Sequence, residues 1–320
     1  MAKLSDILFS YEVTITLFVN SILFLLLSIA FYNSLFILKK YKKESSSELQ
    51  YSLEKKSYLV TTIIFVALII KIFMLPYFTY TINELSNIIP GAMCGAGVIS
   101  ANSYGEPLIV LKVVIIILVL LWLTLNKEDL HSKDFKYFTQ KIWFYLFIYL
   151  WISVEIVLEY LYFTNLTTLN PVFCCSTLYS SFYNTNTLPF NMTIKEVLIA
   201  FFVAYLSVIF MSYLKKKYFV VIFSFIYIYL SYFSIVYFFG TYVYQLPTHK
   251  CPYCLLQSEY YFIGYFIYSA LIISVFYSIR ALIFNFDKNI FQKVRIWHSL
   301  SLFFIILNFI IYLALNRTFL

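Results

Sequence analysis

Charge is what this chain has least of. Only 12% of its 320 residues are Asp, Glu, Lys or Arg, while 62% are hydrophobic, and mean hydropathy is +0.84. That balance excludes a water-soluble globule. Glycine is nearly as scarce, with six residues, and proline, cysteine and histidine number seven, five and three. Neither a Walker phosphate loop nor a dinucleotide-binding glycine fingerprint is present, and no Ser/His/Asp grouping suggests an acyl-transfer site. The C-x-x-C-H spacing for covalent haem is missing too. The first apolar run lacks a small-residue cleavage site and is too long for a signal-peptide core, so it is expected to remain as a helix.

What remains is hydrocarbon in long runs. Eight apolar segments are each long enough to cross a bilayer core of about 30 Å: residues 13–38, 58–81, 108–126, 142–163, 196–214, 218–240, 257–283 and 297–315. The sequence therefore predicts an all-α integral membrane protein. It is a polytopic bundle of about eight transmembrane helices, with residues 1–320 forming a single transmembrane domain. Basic residues set its expected orientation. Loops 39–57, 127–141, 215–217 and 280–295 hold seventeen of the 23 lysines and arginines. The positive-inside rule puts these loops in the cytoplasm and both termini outside. The same loops account for the net charge of +8, so no nucleic-acid partner is needed, and the lipid bilayer is the expected partner. The expected location is the cytoplasmic membrane of a bacterium.

The two faces differ in kind. Gly91, Gly95, Gly97 and Gly105 fall in the first outer loop, and Pro90, Pro107, Pro171, Pro189, Pro247 and Pro252 are all outside. Gly and Pro impose particular backbone paths, so the outer loops are shaped while the inner ones are plain connectors. All five cysteines lie in these shaped loops: Cys94, Cys174, Cys175, Cys251 and Cys254. Function commonly resides on such loops.

The strongest local motif is His249-Lys-Cys251-Pro-Tyr-Cys254. Pro is favoured at the first helical position, which makes Cys251 the expected N-cap of the seventh span. A thiol there meets free N–H groups and the positive helix end, which favour thiolate. On this reading Cys251 is the nucleophile, Cys254 its resolving partner, and Cys94, Cys174 and Cys175 the exchanging loop thiols of a membrane thiol–disulfide oxidoreductase working on a periplasmic thiol protein. Adjacent Cys174 and Cys175 form a strained ring if bonded to each other, so each is expected to have a different partner. A C-x-x-C at the outer end of a membrane helix is similar to the vitamin K epoxide reductase and DsbB type of disulfide-forming membrane enzymes. The resemblance covers only these few residues, and those proteins are four-helix bundles with a second loop-borne cysteine pair. It implies a lipid-soluble quinone as electron acceptor.

The same residues support a second reading. His249, Cys251 and Cys254 offer one imidazole and two thiolates at chelating spacing, and Cys94 or Cys174 and Cys175 can complete the shell of a Cu or Zn ion. Met93 beside Cys94 adds to a copper reading. In a third reading the cysteines are structural, and the protein is a transporter or a respiratory-complex subunit that works through its intramembrane charges. Those are Lys71, Lys112, Glu155 and Glu159. A rise of 1.5 Å per residue puts Lys71 and Glu155 about 13 Å below the outer surface, and Lys112 and Glu159 about 7 Å below it. Matched depth pairs Lys71 with Glu155 and Lys112 with Glu159, and buried charges of this kind are functional candidates.

Overall fold

A computed structural model describes residues 7–40, 48–132, 136–167, 172, 188–245, 249–284, 287 and 289–316. Among these residues there are helices and turns but no strand. The long helices are α1 (Tyr11–Lys40), α2 (Glu48–Leu85), α4 (Gly105–His131), α5 (Phe138–Thr164), α6 (Ile194–Tyr213), α7 (Lys217–Ser234), α9 (Ile263–Ile283) and α10 (Ile290–Asn316). Among the described residues there are also two short helices, α3 (Gly95–Ile99) and α8 (Gly240–Tyr244). A π-helical turn, Ile235–Phe239, joins α7 to α8 in one continuous rod, Lys217–Tyr244.

Eight helices are long and apolar enough to cross a membrane, one for each of the eight apolar runs. They are consistent with a multi-pass membrane protein. Their exposed faces carry Phe18, Leu25, Leu150, Val203, Leu206 and Phe266, a covering suited to lipid and costly in water. Helix ends overrun the apolar runs where polar residues keep the helical pattern, as in α2, which begins at Glu48. The start of α6 has a capping box: Thr193 N–H donates to Glu196 Oε2 at 2.7 Å, and Glu196 N–H to the Thr193 hydroxyl at 3.4 Å.

The seventh span differs from expectation. Its helix begins at Ile263, nine residues after Cys254. Between them run two 3-10 turns, Cys254–Leu256 and Ser258–Tyr260, and then Tyr261 and Phe262 with φ of 54° each. Two successive left-handed residues reverse the chain and prevent the helix from reaching back to the cysteines.

The chain forms two compact units. Unit 1 comprises residues 1–84 and 99–169, and unit 2 comprises residues 85–98 and 170–320. In unit 1, α4 packs on α5 and α5 on α1, around Leu27, Ile64, Leu68, Val119, Trp122, Tyr145, Ile148 and Ile152. In unit 2, α6 packs on α7, α9 on α10 and α9 on α7, around Phe201, Val208, Tyr227, Ile267 and Val294. The chain alternates between the units, so residues 85–98 leave unit 1 and bring Cys94 into unit 2.

Candidate functional site: a three-thiol cluster

Cys94, Cys251 and Cys254 meet inside unit 2, where all three thiols are buried and their sulfurs lie within 4.8 Å of one another. Cys94 Sγ is 3.3 Å from Cys251 Sγ. That is a contact, well beyond the 2.05 Å of a disulfide, and none of the three is bonded to another. His249 stands beside them, half-buried, with Nε2 3.1 Å from Cys254 Sγ.

Local structure explains the convergence. Cys94 precedes the single-turn helix α3, and its carbonyl accepts from Gly97 N–H at 3.1 Å. Upstream, Gly91 has φ of 82°, and a Cβ there meets the Val172 carbonyl oxygen at 2.3 Å, so only glycine fits. On the other segment, Cys251-Pro-Tyr-Cys254 folds into a knuckle instead of a helix start. Leu256 N–H donates to Tyr253 O (2.9 Å) and Gln257 N–H to Cys254 O (3.0 Å). Two phenols hold the knuckle from its flanks: Tyr244 donates to the Cys251 carbonyl and Tyr268 to the Pro252 carbonyl, each at 2.7 Å. Gly264 lets α9 approach, because a Cβ there lies 2.9 Å from the Leu255 carbonyl. The Gln257 amide reaches across to Met93 O at 3.4 Å and ties the two cysteine segments together.

Rings complete the surround. His249 packs edge-on against Tyr244 (centroids 4.9 Å apart), and Tyr244 against Tyr260 (5.0 Å). Burial pushes the Tyr260 phenol above its ordinary range, so it stays a neutral hydroxyl. Lys250 sits over the ring of Tyr237 at 4.7 Å.

Cys251 is therefore not the N-cap of the seventh span's helix, which begins at Ile263. The physical reason is the left-handed pair at Tyr261 and Phe262, which detaches α9 from the knuckle. Met93 points away, with its side chain 71% exposed. Cys174 and Cys175 lie outside the described residues.

The intramembrane charges form a second constellation, in unit 1. Lys71 Nζ lies 3.0 Å from Glu155 Oε2, and Lys112 Nζ lies 2.6 Å from Glu155 Oε1 and 2.5 Å from Glu159 Oε2. Asn20 closes the circuit by donating to Glu159 Oε1 (2.7 Å) and accepting from Lys71 (2.9 Å). Each of α1, α2, α4 and α5 thus contributes to one neutral ring, buried in the bundle and bordered by a small cavity lined by Lys71, Met74, Leu75, Lys112 and Glu155. Asn20, Tyr244, Tyr268 and Gly264 escaped the reading of the sequence. One Asn in an apolar run and two of 31 tyrosines carry no distinguishing pattern.

No protein-family model matches this chain, and neither curated proteins nor solved structures give a match. The functional reading therefore rests on the site itself: a membrane-like helical protein holding three close cysteines able to bind a metal or to act in redox chemistry.

Proposed function

We propose that unit 2 carries a soft-metal centre, for Cu(I) or Zn(II), in which the thiolates of Cys94, Cys251 and Cys254 are the ligands and His249 is the fourth donor. The protein would then be a metal-handling membrane protein, with the centre on the outer face that the lysine and arginine asymmetry assigns. The observation that carries this reading is the convergence of three buried sulfurs, from segments 157 residues apart, within 4.8 Å. Sulfurs bound at about 2.3 Å to one tetrahedral ion stand about 3.8 Å from each other, so the cluster is close to the size a metal requires. A soft thiolate-rich set prefers Cu(I) or Zn(II) over harder ions. Burial supports the same reading, since thiols 0–5% exposed are badly placed to attack a disulfide on a partner protein. The tyrosine hydrogen bonds to the Cys251 and Pro252 carbonyls supply the outer support that metal sites use.

One observation favours a second reading. The 3.3 Å contact of Cys94 with Cys251 suits a redox pair formed between the two segments, not within the C-x-x-C. Joining those thiols releases two protons and two electrons, which pass to an acceptor disulfide or a quinone.

The deciding experiment is elemental analysis of the full chain purified from membranes, followed by thiol alkylation with and without chelator. Roughly one Zn or Cu per chain is expected, with loss in each of Cys94→Ser, Cys251→Ser and Cys254→Ser. His249→Ala is expected to weaken binding, and alkylation of all three thiols is expected only after chelation. Metal-free protein with a reducible Cys94–Cys251 bond overturns the metal reading in favour of the redox one.

A further inference from the structure

The end of unit 2 opposite the cysteines carries an unbalanced positive patch. Lys217 and Tyr244 terminate one 28-residue rod, which at 1.5 Å per residue separates the ends by about 40 Å. Tyr244 holds the cysteine knuckle at one end, and at the other α6 turns into α7 through Leu214, Lys215 and Lys216. This hairpin is short, three residues between the helices. Lys215 takes the left-handed conformation (φ 55°), and Lys216 N–H reaches back to Met211 O at 3.1 Å, which closes α6 and fixes the lysines at the tip.

A second basic turn lies against the first. Arg295 of α10 places its guanidinium 4.2 Å above the ring of Tyr213, the last residue of α6. Together the two turns bring Lys215, Lys216, Lys217, Arg280, Lys293 and Arg295 to one end. Among the described residues of these turns the sole carboxylate is Asp287, already engaged by Arg280 (3.2 Å) and Lys293 (2.5 Å). Those contacts hold its carboxyl below the usual range despite the opposing effect of burial. Lys215 and Lys216 are exposed, and Arg295 rests on an aromatic ring.

The arrangement is electrostatically unfavourable without an anion. Lys216 is the N-cap of α7, its side chain makes no cap hydrogen bond, and no acidic residue occupies the first turn. Cations thus crowd the positive pole of a helix dipole, which disfavours them. Exposed Tyr213, Leu214, Tyr218 and Phe219 surround the turn, a belt that suits the level of lipid headgroups.

We propose that this patch is a binding site for the phosphate headgroup of an anionic phospholipid, held by Lys215, Lys216 and Arg295. A bilayer supplies such headgroups at the depth where the flanking aromatics sit, and a phosphate there offsets both the clustered cations and the helix pole. The guanidinium, already seated on Tyr213, presents its N–H fork to phosphate oxygens while the lysines act as point charges.

The test uses the full chain and vesicles of either phosphatidylglycerol or phosphatidylcholine, with native mass spectrometry counting retained lipids and thermal unfolding reporting stabilisation. Wild type is expected to retain phosphatidylglycerol preferentially, more so at about 0.05 M than at about 0.5 M salt. The Lys215→Gln/Lys216→Gln/Arg295→Gln variant is expected to lose about tenfold or more of that preference. A control that removes three charges elsewhere, Lys55→Gln/Lys127→Gln/Lys136→Gln, is expected to keep it. Equal loss in both variants, or stabilisation by inorganic phosphate as large as by the lipid, overturns the proposal.

Discussion

Lys112 is held on three sides: its Nζ contacts Glu155 and Glu159 and lies 4.5 Å from the centroid of the Phe78 ring. Lys71 is bound less completely, to Glu155 and Asn20. Removing one member of a buried charge pair typically costs about 3–5 kcal/mol because the other is left without compensation. Lys112→Met is therefore expected to lower the unfolding temperature more than Lys71→Met. Adding Glu159→Gln to Lys112→Met is expected to recover part of the loss, since Lys71 and Glu155 then remain as one neutral pair. Thermal or denaturant unfolding in detergent reads both effects. Much of this ring was legible, because helical rise fixes depth and depth pairs Lys with Glu. The contact between Lys112 and Glu155, and the closure by Asn20, were not. They depend on which faces of four helices turn inward, and apolar residues on every side of a membrane helix conceal that.

The rod from Lys217 to Tyr244 shows what a single irregular turn contributes. Its π-helical segment inserts an extra residue into the helical repeat, a device common near functional sites. Gly240 N–H donates to Ile235 O, and a Cβ at position 240 lies 2.7 Å from that same oxygen. Gly240→Ala is expected to displace the last turn and with it the Tyr244 hydroxyl, and so to reduce metal occupancy without loss of the other helices by circular dichroism. Tyr244→Phe, which removes only the bond to the Cys251 carbonyl, is expected to weaken metal affinity about 10- to 100-fold, the range seen for outer-shell partners. Competition with a chromophoric chelator measures both. All eight spans were readable from hydropathy. The start of α9 was not, because the apolar run continues through Tyr260, Tyr261 and Phe262. Those aromatic residues give no hint of the two left-handed conformations, which sequence usually announces with Gly or Asn.

On the scale of the whole molecule, the cysteine site joins segments that local pattern does not link. Hydropathy places Cys94 and Cys251 in separate loops between spans, and only packing brings residues 85–98 into unit 2. The knuckle motif was visible as C-x-x-C and Cys94 as a candidate to complete it, but the contact that joins them follows from no spacing rule. A metal bridging the two segments ties down both. Loading purified protein with Zn(II) is expected to slow hydrogen exchange in residues 85–98 and 249–257, and to leave α4 of unit 1 unchanged. Uniform slowing across both units, or none at the knuckle, contradicts the bridging role. Chelation is expected to reverse the protection.

The interleaved chain path also imposes an order in time. Cys94 is synthesised 157 residues before Cys251, and at about 5–20 residues per second the interval is roughly 8–30 s. Disulfide chemistry proceeds in seconds to hours, so during biogenesis Cys94 stands without Cys251 and Cys254 for an interval on the timescale of that chemistry. The three-cysteine cluster can assemble only after Cys254 has been made, and chains that stop short of it leave Cys94 without both partners.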